Sequence, residues 1–373
     1  MDIKRNILLT PGPATTTDTV KKSMIVQDIC PREKEFVEVI SDVRKGLLKV
    51  AYADDDFTCI LFSGSGTSVV DAVINSVVPS GKKILIINNG AYGERMIKIA
   101  EVYKIQYVEV AYIETKPPKV EEIYNILKKD NNITHLAMVH HETTTGMLNP
   151  LEEVIRIADD LNRSLIVDAI SSFAGIPINL RKDKIDYLIS TSNKCLQGMP
   201  GISFVICKKQ ELEETKNYVL RSYYLNLYQQ YDYFETNGEM RFTAPVQVVY
   251  ALKQAINEYF KEGPENRYRR YVENWWVLRR GLKDMGFKFL LHKDQESYLL
   301  MTVMEPKDPN YDFKKLHDLL YERDFTVYPG KIIDKDTFRL AVIGDIHKGD
   351  VSEFLRDLKF VLNEMGLTVP IKY

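Results

Sequence analysis

Short apolar runs alternate with stretches of helical periodicity through the first half of the chain. The runs at 58–62, 83–87, 107–110, 135–139 and 165–167, rich in Ile, Val and Leu, read as strands buried on both faces. Between them, 67–78, a stretch from about 91, 120–129 and 151–161 carry apolar residues at the spacing of a helix. Ser63-Gly64-Ser65-Gly66 and Asn88-Asn89-Gly90 supply turns at two strand ends. This alternation predicts an α/β fold, a large domain with a mostly parallel central sheet flanked by helices. Ligands of such sheets bind beyond the carboxyl ends of the strands.

Past about residue 243 the pattern changes. Long helical stretches cover 246–259 and 266–284, followed by strand-like 299–303, helix 313–322, strand 338–342 and helix 351–364. These predict a small α+β C-terminal domain. The expected division is an N-terminal arm over 1–15, a large domain over 16–255 and the small domain over 256–373. No internal repeat stands out.

The bulk properties remove several functions. With 373 residues, 45% hydrophobic and 27% charged, the chain is an ordinary globular sequence that needs no disulfide or metal to build a core. A net charge of −2 gives no field of one sign to hold nucleic acid or an anionic membrane. No run approaches the ~18 apolar residues of a membrane span, and the N-terminus has too few for a signal peptide. Cys30, Cys59, Cys195 and Cys207 show no C-x-x-C pair and no histidine at a zinc-like interval. Reduced thiols and a cytoplasmic enzyme are expected, with no metal.

The candidate chemistry lies at successive strand ends. Ser65, Gly66 and Thr67 stand between a strand and a helix, where glycines and free helical N–H groups suit a phosphate; an ordinary tight turn would read the same. Tyr92, in Asn89-Gly90-Ala91-Tyr92-Gly93, is an aromatic able to stack on a planar ligand or to pack in the core. His140-His141-Glu142-Thr143-Thr144-Thr145-Gly146 follows the strand at 135–139. Its histidine pair lacks a third ligand, and Thr144 either bonds a ring oxygen or satisfies its own turn. Asp168 ends the run at 165–167, where a carboxylate can hold a pyridinium N–H or cap the next segment. Lys194 follows Ser192-Asn193 beyond an apolar run, a placement that suits a Schiff-base lysine but also an exposed loop lysine. Arg339, within the strand at 338–342, needs an anionic partner: a substrate carboxylate or phosphonate, or an internal acid.

Taken in order, Leu9-Thr10-Pro11-Gly12-Pro13, Ser63-Gly64-Ser65-Gly66, Asn89-Gly90-Ala91-Tyr92-Gly93, Glu142-Thr143-Thr144-Thr145-Gly146, Asp168-Ala169-Ile170-Ser171-Ser172 and Ser192-Asn193-Lys194 resemble the class V aminotransferases of the fold type I pyridoxal-phosphate (PLP) family. The resemblance runs from about residue 6 to the last helix. It implies PLP as cofactor, a small amine and a 2-oxo acid as substrates, and a homodimer. It assigns Lys194 to the cofactor's carbonyl carbon and Asp168 to the ring nitrogen. Ser65, Gly66, Thr67 and Asn193 fall to the phosphate, Tyr92 to the ring face and Thr144 to the ring oxygen. Thr243 would reach the neighbouring subunit's phosphate, and Arg339 would bind the substrate's acid group. Many relatives carry Trp where Tyr92 stands. Relatives acting on alanine and glyoxylate often carry Tyr in place of Met240, which weighs against that activity. A doubly charged acid such as a phosphonate needs more positive charge than Arg339 supplies, and Arg32 and Arg241 are the candidates, unless each instead pairs with a nearby acid as a structural group.

Overall fold

The computed structural model describes residues 4–330 and 336–373. Its centre is a seven-stranded sheet in the order Phe57–Ser63, Ile202–Lys208, Tyr187–Thr191, Ser164–Asp168, Ile133–Val139, Lys83–Asn88, Gln106–Ala111. Ile202–Lys208 runs antiparallel to both of its neighbours, and every other pairing is parallel. The expected α/β architecture is therefore present. The strands were legible because their apolar runs are buried on both faces, as in Ile60, Leu61, Leu85, Ile86, Leu136 and Ile166, all at 0% exposure.

Among the elements that the sequence pattern did not predict, two bear on the central sheet. Helix Lys34–Val50 buries Phe36, Val39, Ile40, Val43, Leu47 and Val50 on one stripe, a regular three-to-four spacing. Strand Ile202–Lys208 fills the gap between Phe57–Ser63 and Tyr187–Thr191, and nothing local announces its reversed direction.

A second hydrophobic core gathers Trp275, Leu278, Met301, Phe338, Leu340, Phe354 and Leu358. It lies on a three-stranded sheet ordered Leu300–Met304, Thr337–Ala341, Tyr328–Pro329. Helix Val246–Glu262 ends at Gly263, whose φ of +86° suits glycine, and Pro264 opens helix Pro264–Asp284. That helix joins the two cores: Tyr271 packs in the first, Trp275 and Leu282 in the second.

The N-terminal segment crosses between the cores in the other direction. Ile7–Leu8 pairs in parallel with Phe325–Thr326, the Ala341 N–H donates to Leu9 O (3.0 Å), and the Ala14 N–H donates to Asn193 O (3.0 Å). Pro11 and Gly12 are thereby laid against Lys194.

Candidate active site

A cavity of about 440 Å³ opens at the carboxyl ends of the central strands. Its walls include Ser65, Gly66, Thr67, Tyr92, Asp168, Asn193 and Lys194, so seven sequence candidates converge on one space. Arg95, His141, Thr143, Ile170, Ser171 and Thr191 line it too, and the sequence reading had assigned none of them.

Ser65 caps helix Gly66–Val77 from an extended conformation without spending its side chain on the cap. The first turn of that helix thus presents donors to the cavity, with the positive end of the helix dipole behind them. A Cβ on Gly66 would come within 2.7 Å of Ile170 Cδ1, so glycine is what lets the turn close on the wall.

Asp168 is the last residue of its strand and 4% exposed. Its Oδ1 accepts the Ile170 N–H at 2.9 Å. Burial, reinforced by the nearby Glu142, pushes the carboxyl up to about 7; the Ile170 N–H, Arg95 and Lys194 oppose the shift. A buried carboxylate in this state calls for a cationic partner. Lys194 Nζ donates to Pro11 O. A Cβ at Gly12, whose φ is +136°, would collide with Nζ, so the Pro11-Gly12 pair is shaped around the lysine head.

Glu142 is fully buried and stitches two turns together. Its Oε1 accepts the Thr144 N–H (3.0 Å) and hydroxyl (2.6 Å), and its Oε2 accepts the Tyr92 N–H (3.3 Å). The Ala91 N–H donates to Thr144 Oγ1 (3.1 Å). Thr144 therefore serves its own turn and does not line the cavity; Thr143 does. Three consecutive threonines gave no signal of which one turns inward.

Both histidines are held by serine hydroxyls. His140 Nδ1 pairs with Ser172 Oγ at 2.9 Å and His141 Nε2 with Ser297 Oγ at 2.8 Å. Burial pushes them down to about 4 and about 3, respectively.

Arg339 has 0% exposure. Its Nε donates to Pro329 O and its Nη1 to Thr143 O, both at 3.0 Å. Nη2 has no hydrogen-bond partner among the described residues. No internal acid pairs with Arg339 there, and Nη1 ties the guanidinium to Thr143 of the cavity wall, so a ligand acid could satisfy the remaining donor.

Three candidates lie elsewhere. Arg32 is engaged by Glu239 and by the carbonyls of Met240 (2.8 Å) and Arg241 (3.0 Å). Arg241 donates to Tyr223 O at 3.2 Å and lies over the rings of Tyr223 and Phe242. Thr243 is exposed. None of the three lines the cavity of its own chain. Arg32 is already neutralised by Glu239, and Arg241 is held over aromatic rings.

These residues fit pyridoxal phosphate. The helix start with Ser65–Thr67 matches its phosphate, the buried Asp168 its ring nitrogen, and Lys194 its carbonyl carbon.

Residues 21–303 match the family model for aminotransferase class-V, and the chain belongs to that family. It is 43% identical over 359 residues to a 2-aminoethylphosphonate–pyruvate transaminase of Phocaeicola vulgatus, covering 95% of this chain and 98% of the relative. A Bacillus cereus enzyme of the same name is 42% identical over 94% of this chain and 96% of the relative. Among solved structures, alanine–glyoxylate aminotransferase from a Nostoc species superposes with a TM-score of 0.88 at 26% identity, covering 97% of this chain and 96% of that one. The chain is an aminotransferase.

Proposed function

We propose that this enzyme moves the amino group of 2-aminoethylphosphonate to pyruvate, giving phosphonoacetaldehyde and alanine, with PLP as the carrier. Near-full-length likeness to two enzymes of that name supports the substrate pair. The observation that carries the reading is Arg339, wholly buried, bonded through Nη1 to the cavity residue Thr143, and with no hydrogen-bond partner for Nη2 among the described residues. A phosphonate or a carboxylate fits that fork.

Ser65, Gly66, Thr67 and Asn193 would hold the phosphate, and Tyr92 and Ile170 would pack on the ring. When bound, the cofactor supplies an electron-withdrawing ring for the carbon that bears the amino group. The Asp168 carboxylate would hold a proton on the ring nitrogen and so keep that ring electron-poor. Lys194 Nζ would hold the cofactor at its carbonyl carbon and, as a free amine, would take the proton from the substrate carbon. Arg339 orients the acid group of either substrate, so pyruvate uses the same pocket in the return half.

The reading includes a homodimer in the cytoplasm. Thr243 is exposed, and beside it Tyr223 (71% exposed) and Tyr224 (41% exposed) pack against Phe242, an aromatic face that a second copy would cover. Thr243 would then reach the partner's phosphate. The four cysteines are all free, in keeping with a reducing compartment.

The test is product stoichiometry. Purified protein supplied with PLP, 2-aminoethylphosphonate and pyruvate should form alanine and phosphonoacetaldehyde in equal amounts. Failure to form the aldehyde would overturn the reading.

A further inference from the structure

Arg95 lies one turn into helix Ala91–Val102. It lines the cavity, and its Nη1 donates to Thr67 Oγ1 at 3.1 Å. Its guanidinium lies 4.7 Å from the centroid of the Tyr92 ring. Among the described residues no acid lies within ion-pair distance of it, whereas Arg32, Arg44, Arg267, Arg270 and Arg279 each have one. Among the residues lining the cavity, Lys194 is the one other cation, and its Nζ is turned to Pro11 O.

The charge balance of the cavity follows. A phosphate monoester carries about −1.5 to −2 at neutral pH. A helix start offsets roughly half a unit. Ser65, Gly66, Thr67 and Asn193 contribute hydrogen bonds but no charge. A phosphate seated at Thr67 therefore needs a cation, and Arg95 already touches Thr67.

We infer that Arg95 is the counter-charge for the cofactor's phosphate and makes the site select the phosphorylated form of the vitamin over the unphosphorylated one. The inference rests on PLP being the cofactor. The same guanidinium braces Tyr92, so the phosphate cradle and the ring platform share one support. A bare prop for Tyr92 would behave differently: its loss would weaken phosphorylated and unphosphorylated ligands alike.

The experiment compares two ligands on cofactor-free protein. Pyridoxal phosphate and pyridoxal are titrated into the parent, Arg95→Gln and Arg95→Lys by quenching of intrinsic fluorescence, with folding checked by circular dichroism. The parent should prefer pyridoxal phosphate strongly. Arg95→Gln should weaken pyridoxal phosphate by about 10- to 100-fold, the range of one lost charge-assisted bond, and leave pyridoxal within about threefold. Arg95→Lys keeps the charge and loses the fork, so its preference should fall between the two. Should Arg95→Gln fail to fold, the Arg95→Lys comparison decides alone: a severalfold loss confined to pyridoxal phosphate supports the inference. Equal losses for both ligands, or no loss for either, would overturn it. A parent that bound neither ligand would instead overturn the cofactor reading itself.

Discussion

Arg339 and Thr143 are 196 positions apart and are joined by one hydrogen bond, Nη1 to the main-chain carbonyl, at 3.0 Å. Arg339 belongs to the second core's sheet, while Thr143 lies on the cavity wall of the first. That sheet thus brings the fully buried Arg339 to the cavity wall, with Nη2 lacking a hydrogen-bond partner among the described residues.

Replacing Arg339 with Gln should damage both half-reactions. The expected loss in kcat/KM is about 10²-fold, from a charge-assisted fork worth roughly 2–3 kcal/mol. Arg339→Lys should recover little, because an ammonium cannot reproduce the fork. Stopped-flow traces with 2-aminoethylphosphonate and with alanine measure the two halves separately. A loss confined to one of them would show that Arg339 does not serve the common acid group.

Asp168 gives a pH signature in the cofactor-free protein. Its folded value, pushed up to about 7 by burial, stands above the ordinary 3.8. Between those values the folded chain keeps a proton that the unfolded chain has lost. This group's contribution to stability therefore falls as pH rises from about 4 to 7 and is level beyond. Glu296 is also pushed up to about 7 by burial, so only a comparison isolates Asp168. Thermal midpoints of cofactor-free Asp168→Asn, relative to the parent, should be more favourable at pH 8 than at pH 5. An equal difference at the two pH values would remove the buried-carboxylate account. With PLP bound, Asp168→Asn should lose most of its activity, at least about 10²-fold, and Asp168→Glu less.

Much of this site was legible because chemistry in an α/β sheet sits at strand ends, and strand ends can be read from where apolar runs stop. Ser65, Tyr92, Asp168 and Lys194 follow such stops, and they converge. Arg95 did not announce itself. Arg95 lies one turn into a helix, where an arginine reads as solvated surface, and its approach to Thr67 depends on how two helices pack. Thr143 lines the cavity, whereas the Thr144 hydroxyl is taken by Glu142, a distinction three consecutive threonines do not carry. Arg32 takes its partner Glu239 from 207 positions away, which only the fold shows, and Arg241 lies over the rings of Tyr223 and Phe242.

Lys194→Ala should lower turnover at least about 10³-fold, since it removes both the covalent anchor and the proton carrier. PLP should still bind. Borohydride treatment followed by mass spectrometry should leave the cofactor's mass on the parent chain and not on the variant. Cofactor fixed to Lys194→Ala at another lysine would displace Lys194 from its role.

The proposed dimer makes Thr243 a residue of the neighbour's site. Thr243→Ala should weaken PLP binding about fivefold to tenfold, the effect of one neutral hydrogen bond, without changing sedimentation. A mixed dimer of Thr243→Ala with Lys194→Ala should then have one site missing both groups and one intact. A fully active monomer by sedimentation at assay concentration would contradict the arrangement.

The amine specificity tests the central claim most directly. PLP-loaded enzyme, without a 2-oxo acid, is mixed in single turnovers with 2-aminoethylphosphonate, alanine, serine and phosphoserine, and conversion of the bound cofactor to its amine form is followed by absorbance. The account predicts rapid conversion by 2-aminoethylphosphonate, slower conversion by alanine as the reverse of the pyruvate half, and regeneration by pyruvate. Ready conversion by alanine with regeneration by glyoxylate, and none by 2-aminoethylphosphonate, would contradict it.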